Sequence, residues 1–242
     1  MIKLNAIYKS FSGKEVVKDL SIEVKKGEKV AIIGPSGIGK STLLRLIMGL
    51  QKVDRGRVVI DGRDLSLNNP ELLRNTRMKF GMLFQSAALF DSMNVESNVA
   101  FPLLENTSMS EGAMQERIRE TLQLVEMEGS EKLMPSDLSG GQRKRIGLAR
   151  AIVARPEIVL YDEPTTGLDP ILSTNIEDLI VKLSEQLHMT AVVVTHQIST
   201  ILRTVDSIYM MQEGKLMAPE TAKTIHQSAN DYIRSFIKGG LE

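Results

Sequence analysis

The sequence contains no cysteine and no tryptophan, and only 4% of its 242 residues are aromatic. The missing cysteines exclude disulfides and thiolate-bound metals, and they permit a reducing compartment. Neither charge is in excess, because 30 Lys and Arg residues balance 30 Asp and Glu residues, so nucleic acid and anionic membrane surfaces are not indicated as partners. The sequence also lacks an apolar run of the roughly 20 residues that span a bilayer, and Met1 to Ser10 does not resemble a signal peptide. Any movement across a membrane would need another chain.

The composition that remains is that of an ordinary globular protein, 42% hydrophobic and 25% charged, and the length fits one α/β domain with an insertion. Residues 2–24 alternate apolar and polar around a turn at Ser12-Gly13, which predicts two antiparallel strands. Short apolar runs then alternate with helical patterns, which predicts a mostly parallel sheet with helices on both faces. The predicted strands cover 28–34, 57–60, 78–84, 157–161, 190–195 and 207–211, and the predicted helices include 40–50, 111–129 and 140–153.

One segment fits the phosphate-loop pattern G-x-x-x-x-G-K-[ST]. Its glycines let the backbone curl so that successive N–H groups face a phosphate, and the following helix adds its positive N-terminal end. Lys40 is expected to reach the β- and γ-phosphates of ATP, and the Ser41 hydroxyl is expected to ligate Mg²⁺. The alternative is a plain glycine turn before a helix, but the order strand, loop, helix favours the phosphate loop. The loop residues are Gly34, Pro35, Ser36, Gly37, Ile38, Gly39, Lys40, Ser41 and Thr42.

A pair of acids follows the predicted buried strand 157–161. Ligands bind at the carboxyl edge of open α/β sheets, so this is where catalytic acids are expected. Asp162 is expected to hold Mg²⁺, partly through water, and Glu163 to orient and polarise the attacking water. Acids often end strands, and Glu163 could instead be an acid at a helix N-terminus. The phosphate loop upstream favours the catalytic interpretation.

The segment Leu138-Ser139-Gly140-Gly141-Gln142 stands before a predicted basic helix. Two glycines at a helix start expose backbone N–H groups to an anion, and a chain with one phosphate loop already does not obviously need a second anion site. The alternative is a Ser-capped helix with glycines for flexibility. LSGGQ matches the signature sequence of ABC ATPases, in which it lies across the γ-phosphate of ATP bound to the facing subunit. The basic run Arg143–Arg145 is more typical of a solvated helix face, and no catalytic role is predicted for it.

The resemblance to ABC ATPases assigns three further residues. Gln85 resembles the Q-loop glutamine, which contacts Mg²⁺ or the water and senses the membrane partner. His196 resembles the switch histidine, and it follows a predicted strand, where its imidazole can donate a hydrogen bond to the γ-phosphate. Gly167-Leu168-Asp169 matches the D-loop, which meets the other subunit of the dimer. A lone Gln or His would more often be structural; their place among the ATP motifs favours function.

Adenine binding calls for a flat apolar surface, which the family places in the turn between the first two strands. Phe11 fits this role best, and Tyr8 is the second choice. Both residues could instead belong to the core. Val16 or Val17 is expected to line the same patch. Because the sequence has few aromatic residues, few others compete for this stacking role.

The resemblance covers residues 2 to about 213 and implies a P-loop NTPase (RecA-like) fold, with a mostly parallel core sheet, an antiparallel β subdomain and an inserted α-helical subdomain. We interpret 1–242 as a single nucleotide-binding domain and 90–155 as the helical insertion. The stretch 81–103, together with Ile38 and the tail 231–239, resembles the ATPases of MCE-type phospholipid transporters. That resemblance implies a homodimer that binds two membrane permease subunits and works with an MCE lipid-binding protein. A cytoplasmic helix of each permease would sit beside Gln85 and residues 89–99. The chain would then lie at the cytoplasmic face of the inner or plasma membrane.

Two alternatives remain open on the sequence. ATPases that import a polar solute such as an amino acid share all the core motifs. A soluble ABC ATPase, for example one acting in cluster assembly, is an alternative of another class. ABC proteins of DNA repair carry a long coiled coil and those of translation carry two ATPase domains, and neither feature is found here.

Overall fold

The structure is a computed structural model that describes residues 1–67 and 69–239. Its strands are, in chain order, β1 (Ile2–Phe11), β2 (Lys14–Val24), β3 (Lys29–Ile33), β4 (Arg55–Ile60), β5 (Arg63–Asp64), β6 (Phe80–Leu83), β7 (Ile158–Asp162), β8 (Thr190–Thr195), β9 (Ser207–Gln212), β10 (Lys215–Leu216) and β11 (Glu220–Thr221). Its helices are α1 (Lys40–Ile47), α2 (Pro70–Arg77), α3 (Val95–Asn106), α4 (Glu111–Leu124), α5 (Gly140–Ile152), α6 (Pro170–Gln186), α7 (Ile198–Thr204) and α8 (Asp231–Gly239). Within the described ranges, no helix combines the length and apolarity that a bilayer crossing requires.

The chain divides into two compact units. The first unit consists of Met1–Lys79 and Thr190–Glu242, and the second unit of Phe80–Met189. Each unit carries part of the predicted site.

The first unit contains an antiparallel sheet with the strand order β2-β1-β4-β5. The turn Ser12-Gly13 joins β1 to β2, and both of its residues have positive φ, 48° and 81°. A two-residue turn of this kind matches the twist of an antiparallel pair and explains the tight hairpin. The predicted pair of antiparallel strands over residues 2–24 is confirmed.

The parallel strands of the first unit place β3 between β8 and β9. Every residue of β8 is buried, as are four of the five residues of β3. Strands covered on both faces are apolar throughout, which is why both read as continuous apolar runs in the sequence. The short strands β10 and β11 pair with β9 in the antiparallel direction.

The second unit is built on the parallel pair β6 and β7, with Phe80 opposite Ile158 and Leu83 opposite Tyr161. Helices α3 to α6 belong to this unit, and each begins with a side chain that accepts a hydrogen bond from the first helical turn. These caps satisfy backbone N–H groups that a helix start leaves unpaired. They are Asn94, Ser110, Ser139 and Asp169.

The helix ends differ from the sequence-based expectation in two places. Helix α1 ends at Ile47 rather than Leu50, and Gly49 follows with a φ of 63°. Helix α4 ends at Leu124 rather than Gly129, because Glu126 adopts a φ of 58°. Left-handed residues cannot continue a helix, and α-helical patterning alone does not reveal them.

Every regular element between residues 90 and 155 is helical, as expected for this stretch, and α3, which contains Pro102, had not been predicted individually. The assignment of 90–155 as an insertion in one domain of residues 1–242 stays a prediction. Residues 240–242, the end of that domain, lie outside the described residues.

Candidate active site

The phosphate loop lies in the first unit, between β3 and α1. Its three glycines all have positive φ: Gly34 at 151°, Gly37 at 77° and Gly39 at 113°. A Cβ on Gly34 would lie 2.7 Å from the main-chain oxygen of Met211, and one on Gly39 would lie 2.6 Å from Val16 Cγ1. Both the backbone conformation and the available space therefore require glycine at these two positions.

Lys40 stands at the start of α1 and is 6% exposed. Its Nζ donates hydrogen bonds to the main-chain oxygens of Gly34, at 2.8 Å, and Pro35, at 3.1 Å. The ammonium group is thus folded back onto the loop, at the start of the helix. This is the arrangement that an arriving triphosphate would meet.

His196 follows β8 at the same sheet edge as the phosphate loop. The register pairs Ile33 with Thr195, so Gly34 and His196 both come directly after the carboxyl ends of neighbouring parallel strands. The His196 side chain is exposed at this edge. Gly34 and His196 are 162 residues apart in the sequence, and the sheet brings them to the same edge.

The adenine candidates differ in how accessible their rings are. Phe11 ends β1 and is 41% exposed, with Lys9 Nζ 5.4 Å from its ring centroid. The ring of Tyr8 is covered by the Arg55 guanidinium at 4.0 Å. The geometry thus favours Phe11 over Tyr8 as the stacking surface, although the role itself stays a prediction.

The two valine candidates are also distinguished. Val16 contacts the phosphate loop at Gly39, whereas Val17 is fully buried in its own sheet. Of the two, Val16 is the one positioned to line a nucleotide surface.

The acid pair lies in the second unit, at the end of β7. Asp162 and Glu163 are both 8% exposed. Glu163 has a φ of 49°, which is rare for a residue with a side chain, and Thr166 Oγ1 donates a hydrogen bond to its Oε2 at 3.1 Å. Unusual backbone at a carboxylate of this kind is typical of functional positions.

Gln85 lies at the same edge of the second unit's strand pair. Because Leu83 is paired with Tyr161, the chain leaves β6 and β7 side by side, with Gln85 following one strand and Asp162 and Glu163 ending the other. The side chain of Gln85 is exposed. The structure therefore brings Gln85 and the acid pair together within this unit.

Lys144, on α5, links these two segments and was missed in the sequence. It is only 5% exposed, and its Nζ donates to the main-chain oxygens of Gln85, at 2.5 Å, and Glu163, at 3.2 Å. Burial lowers the pKa of Lys144 to about 8, while the charges of Glu163 and Asp162 act in the opposite direction. The expectation that the run Arg143–Arg145 is a solvated face is wrong for its middle residue.

A signal for this exception was present in the helical phase of the sequence. Lys144 is spaced three residues after Gly141 and four before Leu148, and both of these neighbours are buried. Positions at this spacing share one helix face. Three consecutive basic residues do not by themselves show which of them is buried. Arg143 and Arg145 are more exposed than Lys144 between them.

The signature segment forms a capping box at the start of α5. Ser139 Oγ accepts from the Gln142 N–H at 3.3 Å, and Gln142 Oε1 accepts from the Ser139 N–H at 2.8 Å. Because Ser139 is only an acceptor in this pair, its own hydroxyl hydrogen remains available to donate to a further group. The N-terminus of α5 therefore presents a hydroxyl donor together with backbone N–H groups.

The D-loop packs against these signature glycines. A Cβ on Gly140 would lie 3.5 Å from Leu168, and one on Gly141 would lie 3.4 Å from Leu172. Asp169 caps the adjacent helix, with its Oδ1 accepting from the Leu172 N–H at 2.9 Å. The predicted D-loop and signature segment are thus in contact within one chain.

Comparisons with known proteins identify the family of this chain. The sequence profile described as "ABC transporter" matches residues 17–166. The chain is 42% identical to the intermembrane phospholipid transport system ATP-binding protein of Haemophilus influenzae, over 94% of this chain and 86% of that protein. It is 40% identical to the chloroplastic protein Trigalactosyldiacylglycerol 3 of Arabidopsis thaliana, over 100% of this chain and 74% of that protein.

Among solved structures, the chain resembles an ATP-binding cassette described as dimeric, in a post-hydrolysis state and bound to ADP and Pi. The TM-score is 0.84 at 33% identity, over 92% of this chain and 99% of that one. This likeness confirms the predicted P-loop NTPase fold with its parallel and antiparallel strands. The profile and the relatives together show that this chain belongs to the ABC transporter family and is an ATP-binding, ATP-hydrolysing member of it.

Proposed function

We propose that this chain is the ATPase subunit of a lipid-transporting ABC system, acting as a homodimer on a membrane permease. The identity of 42% to an ATP-binding protein named for phospholipid transport carries the lipid assignment. A second relative, 40% identical over the whole chain, bears the name of a galactolipid. Two relatives named for lipids, one bacterial and one chloroplastic, support this substrate class.

The dimer is supported by the presence of two anion-binding turns in one chain. The phosphate loop of the first unit has its lysine and its helix N-terminus, and the second unit has a separate helix start with the Ser139 hydroxyl and two glycines. In a head-to-tail dimer, each triphosphate would be held by the loop of one subunit and by Ser139, Gly140, Gly141 and Gln142 of the other. ATP binding then shifts the population toward the closed dimer, because only the closed state offers both sets of contacts.

Hydrolysis in this proposal uses residues from both units of the chain. Lys40 and the loop N–H groups from Gly34 to Thr42 hold the phosphates and stabilise the charge that develops on the γ-phosphate. Glu163 orients and polarises the attacking water, and Gln85 assists it. His196 donates a hydrogen bond to the γ-phosphate, and Asp169 lies at the contact with the second subunit.

The proposed metal is Mg²⁺, with Ser41, Asp162 and Gln85 as its protein ligands. A hydroxyl, a carboxylate and an amide oxygen are the hard oxygen donors that Mg²⁺ prefers. Among the described residues, no cluster of three His, Asp or Glu side chains forms a metal cage. That agrees with Mg²⁺, which typically takes one or two protein carboxylates and completes its coordination with substrate phosphates and water. When bound, the ion would neutralise charge on the β- and γ-phosphates.

The permease is proposed to dock beside Gln85 and residues 89–99. Two aromatic side chains of this region are substantially exposed, Phe84 at 37% and Phe90 at 40%. Exposed aromatic side chains are typical anchors of protein interfaces. Through the permease, the chain would lie at the cytoplasmic face of the inner or plasma membrane, and an MCE protein would carry the lipid.

The catalytic assignment is tested with Glu163→Gln. This variant should bind ATP with parental affinity and lose at least about 100-fold in turnover, since the general base is removed while the binding groups stay. ATP binding is measured by fluorescence titration, turnover by phosphate release, and ATP-dependent dimerisation by sedimentation velocity. Glu128→Gln, at an exposed position of the same unit, is the matched control and should keep parental turnover. Parental turnover in Glu163→Gln would show that the assignment is wrong.

The transport assignment is tested by purifying the tagged chain from native membranes and analysing the complex by native mass spectrometry. A permease, an MCE subunit and retained phospholipid are expected. A soluble solute-binding protein in their place would contradict the lipid proposal. Fractionation of the chain with cytosol, without any permease, would contradict the transporter proposal as a whole.

A further inference from the structure

We propose that Lys144 is a positioning residue that ties the main chain at Gln85 to the main chain at Glu163, so that the two side chains keep a fixed relative geometry toward the attacking water. This inference rests on the proposed function, because it assumes that Glu163 and Gln85 serve hydrolysis. It adds a residue outside the nucleotide-binding and catalytic motifs, one that touches neither nucleotide nor water itself.

The first argument is the pair of acceptors. The ammonium of Lys144 bonds to the main-chain oxygens of Gln85 and Glu163, and these residues follow two different strands, β6 and β7. One buried cation therefore joins the two segments that carry candidate catalytic side chains. A lysine has three donor hydrogens and no acceptor, so it suits a site formed by converging carbonyls.

The second argument is the backbone of Glu163. Its φ of 49° is held against the ordinary preference of a residue with a side chain. A carbonyl fixed by Lys144 and a carboxylate that accepts from Thr166 Oγ1 restrain this residue from two directions. Without the Lys144 contact, the Glu163 oxygen would lose its shorter bond and keep the longer one from the Thr166 N–H at 3.4 Å, so we expect this peptide to rotate more freely and the carboxylate to shift with it.

The third argument is that α5 holds the Gln85 segment at more than one point. Arg150, six residues after Lys144, donates to the main-chain oxygens of Ala87, at 2.7 Å, and Ala88, at 2.8 Å. Between the two cations, a Cβ on Gly147 would lie only 3.0 Å from the Ala87 side chain. Helix α5, which begins with the signature segment, thus contacts Gln85, Ala87 and Ala88 through Lys144, Gly147 and Arg150.

These contacts predict how catalysis depends on Lys144. Helix α5 is hydrogen-bonded to the Gln85 segment, and Lys144 extends that connection to Glu163. Misplacing a catalytic group by about an ångström can cost roughly 100-fold in rate without removing any binding contact. Loss of Lys144 should therefore lower kcat and leave the KM for ATP nearly unchanged.

The test compares Lys144→Met, Lys144→Arg and Arg145→Met. Methionine keeps the length and apolar stem of lysine but has no donor, and we expect kcat to fall roughly 10- to 100-fold with a KM change below about threefold. Lys144→Arg retains donors and should recover part of kcat. Arg145→Met is the control, since Arg145 also leaves α5 to bond to a main-chain oxygen, that of Val125 at 2.9 Å, and contacts neither segment. It should keep parental kcat, whatever its effect on Tm.

Two results would overturn the inference. One is a Lys144→Met variant with kcat within twofold of the parent. The other is a loss of kcat in Lys144→Met that is explained by its smaller folded fraction. In that case, Lys144→Met and Arg145→Met would show the same kcat once each is corrected for its folded fraction. Should Lys144→Met fail to fold, Lys144→Leu, which likewise has no donor, takes its place in the same comparison. Glu163→Gln separates this inference from the proposed function: an active Glu163→Gln defeats the catalytic assignment, whereas an inactive Glu163→Gln beside a fully active Lys144→Met defeats only the role of Lys144.

Discussion

The side-chain amide of Asn98 bonds in both directions to the main chain of Phe90. Its Oδ1 accepts from the Phe90 N–H at 2.8 Å, and its Nδ2 donates to the Phe90 oxygen at 3.1 Å. The same Nδ2 lies 2.9 Å from the main-chain oxygen of Met93. Asn98 is fully buried on α3, so one amide determines the conformation of the loop that leads into this helix.

Replacing this amide by an apolar group of similar size, in Asn98→Leu, should lower the free energy of unfolding by roughly 2–4 kcal/mol. Several part-buried main-chain groups lose their partner at once, and each group left fully unsatisfied costs about 1–3 kcal/mol. Urea unfolding measures the change. Asn106→Leu, at an exposed position of the same helix whose Nδ2 donates to Pro102 O, is the control and should change stability by less than about 0.5 kcal/mol. Equal losses in both variants would contradict the proposed importance of the buried amide.

Two glycines of the second unit should respond to alanine with opposite signs. A Cβ on Gly81 would lie 2.1 Å from the main-chain oxygen of Ala151, so β6 or α5 would have to move, and Gly81→Ala should destabilise by at least about 2 kcal/mol. Gly112 lies in α4, and no atom is found within 4 Å of the position that a Cβ would take there, so Gly112→Ala should stabilise by about 0.5–1 kcal/mol. Thermal and urea unfolding of both variants check this. A neutral Gly81→Ala would show that α5 does not pack tightly on β6.

Gly81 also shows which features of the fold the sequence alone can predict. The apolar run that contains it predicts a strand, but nothing in that run shows that the end of α5 lies against it. The same limit applies to Lys144, whose buried position becomes evident only once the helix phase and its neighbours are known. Motifs with fixed spacing, such as Gly34 to Thr42, are recognisable because local backbone conformation requires those residue types. Contacts between distant segments carry no comparable local signal, and neither do the left-handed residues that end α1 and α4.

The two roles proposed for Ser139, as the cap of α5 and as a phosphate ligand, should be separable by substitution. Ser139→Asp keeps an N-cap acceptor, so α5 should retain its stability, while Ser139→Ala should lose about 1 kcal/mol. The aspartate would place a negative charge where the γ-phosphate of the facing subunit is proposed to lie. In a Glu163→Gln background, ATP-dependent dimerisation followed by sedimentation velocity should therefore be lost in Ser139→Asp although its Tm is parental. Unimpaired dimerisation would show that Ser139 does not face the phosphate.

The contacts of Asp54 should make stability depend on pH at the acidic end. Its carboxylate accepts from Lys9 Nζ at 2.8 Å and from the Ser10 N–H at 2.7 Å, and these hydrogen bonds, that of Lys9 first, hold the pKa of Asp54 below its ordinary value of 3.8. Stability gained from a lowered pKa is present above the unfolded value and is lost as pH falls through the folded one.

The parent should accordingly be more stable than Asp54→Asn at pH 7, and the difference should shrink below about pH 4. Because the group is exposed, the difference should stay under about 1 kcal/mol. Chemical denaturation of both proteins between pH 3 and 7 measures it, with Asp91→Asn, at an exposed position of the second unit, as the control. A difference that stays constant down to pH 3 would contradict the assignment.

The hydrogen bonds from Lys40 to the Gly34 and Pro35 oxygens affect how any loss of this lysine should be interpreted. The ammonium braces the loop internally, and a phosphate bound by Lys40 would share its donor hydrogens with those two carbonyls. Substituting Lys40 should therefore remove the proposed phosphate contact and two hydrogen bonds within the loop in the same step. Inactivity of a Lys40 variant would therefore combine two effects, loss of the proposed contact between lysine and phosphate and a change in the conformation of the loop.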